Sequence, residues 1–380
     1  MEKGLVFFQI GTLYAIRELA TNILEVPTGV VADVMGRRRT MIFSFLFYIF
    51  SFLIFFYSAS YAAFVVAMLL FAVGEAFRTG VHKAMIFTYL KIKGWEDQKV
   101  HYYGHTRSWS QLGSAVSALL AAAIVLYTGE YQTVFAYATI PYVLDLGLLA
   151  SYPAMLDGRN EKRKKESILL TFKTIIRSFY IAFKDILLLK AVNNTSLYSG
   201  YYKAVKDYLQ PILQALAVSL PLMVHLNKQQ RSSILIGVVY FFIFLLTSFA
   251  SRHSGKVAAR FSNLSKPLNY TLLIGLVIGL LAGFFYDLGW TILAVGLYIL
   301  IYPMENLRKP IGVGFFAEKV KGNILASALS VQSQVGTLWA ALIAIVLGVL
   351  TDTLGIGLTL VVTSSLLLLV TPVFWLKEKH

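Results

Sequence analysis

Three groups of ionisable and polar residues recur at helical spacing in an otherwise strongly apolar chain. Glu18, Asn22, Glu25 and Gly29 lie four, three and four apart, so a helix would gather them into one polar stripe. Glu75, Arg78 and His82 lie three and four apart, which puts a carboxylate, a guanidinium and an imidazole on one face. Lys203, Asp207, Gln210 and Gln214 form a third stripe, with Lys206 beside it and Tyr201 and Tyr202 one turn earlier. Two kinds of chemistry fit such sets. Glu75 and Asp207 can act as proton or substrate-charge sites whose ionisation responds to a nearby cation and to hydration. Alternatively, Glu75 with Arg78, and Lys203 with Asp207, are ion pairs that hold helices together. Asp145, a lone acid in an apolar stretch, reads as a helix-packing contact.

Enzyme chemistry finds no footing. The sequence has no phosphate-binding Gly-Lys-Ser/Thr loop and no His-Glu-x-x-His, so neither ATP-driven work nor zinc hydrolysis is expected. His101 and His105 are four apart but have no third ligand in view, and with no cysteine there is neither a thiolate metal site nor a disulfide framework. The reading is a non-enzyme without cofactor or metal.

The elements that must position these residues are membrane helices. Of 380 residues 57% are hydrophobic and 14% charged, well outside the soluble range. At roughly 20 apolar residues per crossing, spans fall near 5–33, 40–58, 61–90, 105–127, 132–152, 187–217, 232–250, 268–286, 289–308, 325–350 and 355–376. Charges within them are costly and are functional candidates by default. The net charge of +15 would suggest nucleic acid in a soluble protein, but no binding motif accompanies it. The distribution of basic residues explains it instead. With the chain starting outside, 26 Lys and Arg fall in inner loops and at the C-terminus, and only Lys3, Lys228 and Arg231 fall outside. The stretch from Arg159 to Lys190 alternates Ile168, Phe172, Ile175, Phe179 and Phe183 with cations, and reads as an amphipathic helix on the inner membrane surface.

The first inner turn carries a family resemblance. Gly29-x-x-x-Asp33-x-x-Gly36-Arg37-Arg38-Arg39 resembles the signature loop between the second and third helices of the major facilitator superfamily, and Glu25-Val26-Pro27-Thr28-Gly29 resembles the extended form found in one branch of it. The resemblance implies an all-α membrane protein built as a two-half helical bundle. It implies a secondary active transporter that moves a small molecule by alternating access, with proton-coupled efflux by an antiporter as one form. The third and sixth spans would be the family's helices four and seven, which line the central cavity. Glu18, Glu25, Glu75, Arg78, His82, Lys203, Lys206 and Asp207 are accordingly the candidates for substrate or proton binding. By the same resemblance Asp33 helps lock a cytoplasmic gate, with Arg37 and Arg107 as partners, Gly29 allowing close helix approach and Gly36 in the turn. Pro27 and Pro303 would kink their helices.

The chain also repeats. Ser110-Gln111-Leu112-Gly113-Ser114 is echoed by Ser333-Gln334-Val335-Gly336-Thr337 at an offset of 223, and Thr28-Gly29-Val30-Val31-Ala32 by Ser254-Gly255-Lys256-Val257-Ala258 at an offset of 226. The expected organisation is a first half of five spans (1–152), a cytoplasmic linker (153–186) and a second half of six spans (187–380). Eleven spans then correspond to the family's helices two to twelve, the first being absent. A monomer in the plasma (inner) membrane is expected, in contact with lipid, a small-molecule substrate and protons, and not with nucleic acid. A non-transporting polytopic protein, either a sensor or a transporter remnant, is the alternative.

Overall fold

In hydrocarbon a backbone must satisfy its own hydrogen bonds, so long apolar runs fold as helices. A computed structural model describes residues 3–95, 99–157, 186–220, 225–319 and 322–377, and all regular structure among them is helical. The first half contains α1 (Phe7–Met35), α2 (Arg37–Tyr57), α3 (Tyr61–Ile92), α4 (Lys99–Thr128) and α5 (Thr133–Ala150). The second contains α6 (Ile186–Val205), continued through a 3-10 turn (Lys206–Tyr208) into α7 (Leu209–Ser219), then α8 (Lys228–Ala258), α9 (Ser265–Asp287) and α10 (Thr291–Lys319). The final stretch, Gly322–Val370, is broken by the non-helical backbone of Gly355 into α11 (322–354) and α12 (356–370). Each of the eleven expected spans therefore falls on a helix, the sixth on a broken one. The expected amphipathic segment lies outside the described residues over 158–185.

Local chemistry sets the ends. Gly36 takes a left-handed φ of 93°, which lets the chain leave α1 and start α2 at the three arginines without a connecting loop. Asn227 and Gln230 form a reciprocal capping box that starts α8, the side chain of Asn227 accepting from the Gln230 backbone at 2.8 Å. The Lys3 ammonium donates to the carbonyls of Phe55, Phe56 and Ser58, neutralising the C-terminal end of α2. Seven described segments are long and apolar enough to cross a bilayer, the last of them, Val331–Phe374, spanning both α11 and α12. The helices outside that set include α1, α6 and α10, which carry Glu18, Lys203, Glu305 and Arg308.

The repeat read from the sequence reappears in the packing. Helix α3 packs on α1 and α2 as α10 packs on α8 and α9, and α2 meets α5 as α9 meets α12. The second half closes around α6, whose Tyr198, Tyr201 and Leu197 are buried against α9, α10 and α12. Backbones approach there so closely that a Cβ on Gly200 would lie 2.4 Å from that of Trp339. In the first half no described helix takes the place of α6. Gly113 of α4 faces open space, whereas a Cβ on its echo, Gly336 of α11, would lie 3.8 Å from Ser196 of α6. Asp145 is exposed on α5 rather than packed in a helix contact, a departure from the sequence reading.

The halves meet through α1 against α11 and α4 against α8. A Cβ on Gly11 would come within 2.5 Å of the Ala344 carbonyl, and one on Gly237 within 2.5 Å of Ala122. Near this end the Asp352 carboxylate accepts from the free backbone N–H groups of Phe7 and Phe8 at 2.9 and 2.8 Å, capping α1 from the other half. Gln230 bonds to the Leu126 carbonyl at 2.5 Å and Tyr131 to Ser232 at 2.9 Å, both across the same seam.

Candidate functional site

The centre of the bundle is a charged contact between the halves. On α1 the Glu18 carboxylate accepts from Arg17 Nη2 through Oε1 and from Lys203 Nζ through Oε2, each at 2.9 Å. Lys203 belongs to α6, so this carboxylate ties one half to the other. Lys203 also reaches Thr337 Oγ1 of α11 at 3.4 Å. The Arg17 guanidinium lies over the rings of Tyr14, 5.0 Å away, and Phe71, 5.9 Å away, which holds it in place against the first half.

The expected Lys203–Asp207 pair does not form. Four residues apart, the two would meet on an unbroken helix, but the 3-10 turn at 206–208 intervenes and Asp207 pairs with Lys206 at 2.7 Å. The turn is held by α10, whose Tyr298 hydroxyl donates to the Val205 carbonyl at 2.5 Å and whose Tyr302 hydroxyl donates to that of Lys206. Tyrosines thus take over carbonyls at the break, as irregular backbone at membrane depth requires. Beyond the break, Asp207, Gln210 and Gln214 line a cavity of about 580 Å³ with Tyr14, Phe64, Met68 and Phe135. A second cavity of about 530 Å³ opens between α4, α5 and α8, and Gln210 lines both.

On α3 the structure brings Glu75 and Arg78 together at 2.6 Å. Because both sit on one helix, their pair does not join spans. The connection is made by Tyr48 of α2, which donates to Glu75 and accepts from Arg78 Nε at 3.2 Å. His82, one turn further, is exposed, and Glu25 is partly buried two turns beyond Glu18.

Sequence reasoning missed the most buried charges. Glu305 and Arg308 of α10 are 7% and 3% exposed, although Arg308 was counted among the loop residues that set the topology. Its guanidinium donates to the Leu268 carbonyl at 2.5 Å, Thr271 Oγ1 at 2.7 Å, and the Asn194 carbonyl and side-chain oxygen at 3.1 and 3.2 Å. It also lies 5.2 Å from the centroid of the Tyr198 ring. Asn194 in turn donates to Asn269, whose side chain holds the backbone of Leu376. Glu305 accepts from Ser199 of α6 at 2.6 Å and forms no ion pair among the described residues. A signal was available: Glu75-x-x-Arg78 recurs as Glu305-x-x-Arg308 at an offset of 230, on the helices that the repeat pairs.

At the arginine end, Arg37 donates to Thr88 of α3, and Arg38 to the carbonyl of Tyr152 after α5 at 2.9 Å. Gly36 is buried in the turn. Gly29 and the side chains of Asp33 and Arg107 lie outside what the structure describes.

A family model described as Major Facilitator Superfamily matches residues 2–338. A Bacillus subtilis (strain 168) protein described as an uncharacterized MFS-type transporter, YxaM, is 22% identical over 381 residues, covering 97% of this chain and 87% of the relative. Among solved structures, a mutant of the nucleoside transporter NupG superposes with a TM-score of 0.79 at 13% identity, over 98% of this chain and 92% of the other. A POT family transporter in complex with 5-aminolevulinic acid gives 0.70 at 13% identity, over 98% and 88%. The human organic anion transporter MFSD10 gives 0.60 at 17%, over 97% and 83%. At these identities the likeness to the solved structures is one of fold.

Proposed function

The chain belongs to the Major Facilitator Superfamily and is an integral membrane protein of transporter type, and on that premise we propose that it is a secondary active transporter working by alternating access. The moving bodies are the halves 1–152 and 187–380, with the arginine end and the C-terminus cytoplasmic. The observation that carries this reading is the Glu18–Lys203 bridge, a charged contact between the halves one helical turn from Tyr14 and Asp207 of the cavity. Such a bridge joins two bodies through one carboxylate and is broken and remade without unfolding either. Asp33, Arg37 and Arg107 are proposed to guard the arginine end, and Asp352 the opposite one. Glu305, buried beside Ser199 with Lys203, Arg308 and Lys309 in electrostatic reach, is proposed as the site of a coupling proton.

Asp352 joins the halves at this end, so its part in a gate there is testable. Asp352→Asn keeps an acceptor for one N–H of α1 but loses the charge that favours both, an effect of about 0.5–2 kcal/mol. With cysteine introduced at Gln210, in a chain that has none of its own, Asp352→Asn should raise the rate of modification by an impermeant thiol reagent added on the Asp352 side about threefold or more. An unchanged rate would remove Asp352 from the gate.

A further inference from the structure

The central charges favour one class of solute. Arg17, Lys203 and Lys206 pair with two carboxylates, Glu18 and Asp207, so the hydrogen-bonded set between α1 and the broken sixth helix holds one more cation than carboxylates, with Glu305 beyond it in electrostatic reach of Lys203. Donors are in still greater excess. An ammonium has three N–H groups and a guanidinium five. Among the described residues Lys203 uses one on Glu18 and reaches Thr337 only at 3.4 Å, while the sole side-chain bond of Arg17 is to Glu18. Both oxygens of Glu18 are engaged, which leaves that carboxylate ill placed to receive a cationic solute. The Lys203 side chain is 39% exposed, and Arg17 is held by the two rings beneath it.

We propose that the transported solute is a small organic anion whose acidic group is held between Arg17 and Lys203, with Glu18 keeping the two cations apart and aimed when the site is empty. The body of the solute lies in the adjoining cavity. Tyr14 is one turn from Glu18 and Asp207 one turn from Lys203, and both line that cavity beside Phe64 and Phe135, so an aromatic or amphiphilic body finds apolar walls. Because the two cations belong to different halves, the bound anion touches both bodies at once. The inference rests on the transporter reading and specifies its substrate class.

Benzoate, benzamide and benzamidine share one ring and differ in charge, and their binding to the purified full chain is read by the thermal unfolding shift in detergent. Benzoate should stabilise the protein, and benzamide and benzamidine should not. Lys203→Gln should weaken benzoate about 10- to 100-fold, the effect of one charge-assisted hydrogen bond. Glu18→Gln should strengthen it about tenfold by removing the competing carboxylate. The comparison of the three probes on the unsubstituted protein needs no variant to fold. Equal responses, a preference for benzamidine, no response to any probe, or weaker benzoate binding in Glu18→Gln would overturn the assignment. Solute flux separates this from the wider reading. A protein that binds benzoate with this signature and carries no solute keeps the anion site and loses the transport function. One that carries only cations or neutral solutes does the reverse.

Discussion

Arg308→Met is expected to destabilise the second half by about 3–5 kcal/mol, the usual result of removing one member of a buried charged network. The arginine is 3% exposed and makes four hydrogen bonds that join α10 to α6 and α9. Methionine fills similar volume but leaves Asn194 and Thr271 without their donor, and leaves Glu305, one turn away, without a nearby buried cation. Arg308→Lys keeps the charge and loses the planar fork, so it should fall between the two. The discriminating measurement is the unfolding midpoint of Arg308→Met with and without Glu305→Gln. Neutralising both should recover part of the loss, because no buried carboxylate is then left beside the methionine without a countercharge. Strict additivity would show that the two charges do not sense each other.

Glu305→Gln should leave the fold intact, since the amide oxygen still accepts from Ser199, and should uncouple transport. The groups that face Glu305 are Ser199, Tyr198, Tyr202 and Lys203 of α6, and Arg308 and Lys309 of its own helix. Among the described residues it makes no direct ion pair, so a proton can be held or released there as the surrounding cations shift between states. In proteoliposomes the variant is expected to catalyse solute exchange at a rate near that of the parent while proton-driven accumulation falls to the equilibrium level. Accumulation persisting in Glu305→Gln would exclude this carboxyl as the coupling site, and the exchange assay shows that any loss is not one of folding.

Much of this architecture could be read from residues alone, because a bilayer allows few solutions. Apolar length fixed the crossings, and the echoes at offsets of 223 and 226 anticipated that α4 matches α11 and α1 matches α8. The broken sixth helix has a cue in Pro211, four residues after Asp207: it offers no N–H to that carbonyl, and Tyr298 and Tyr302, about 90 residues away, take the neighbouring carbonyls of Val205 and Lys206. That one break explains why Lys203 turns to Glu18 rather than to Asp207. Arg308 was misplaced for another reason. Counting basic residues treats an arginine at a span's edge as a loop residue, whereas α10 runs on to Lys319 and buries it. The Glu-x-x-Arg echo at offset 230 is the signal that marks it as a helix residue.

The claim at the centre is that the halves move against each other to carry a solute, and cross-linking tests it most directly. Cysteine pairs at Phe8 and Asp352, and at Leu126 and Gln230, bring together the contacts that join the halves at the Asp352 end. Joined by a cleavable thiol cross-linker in proteoliposomes, either pair should abolish flux of a benzoate-type anion, and reduction of the linker should restore it. A cross-linked protein that carries the solute as fast as the free one, or a chain that carries no solute in either state, would contradict the account.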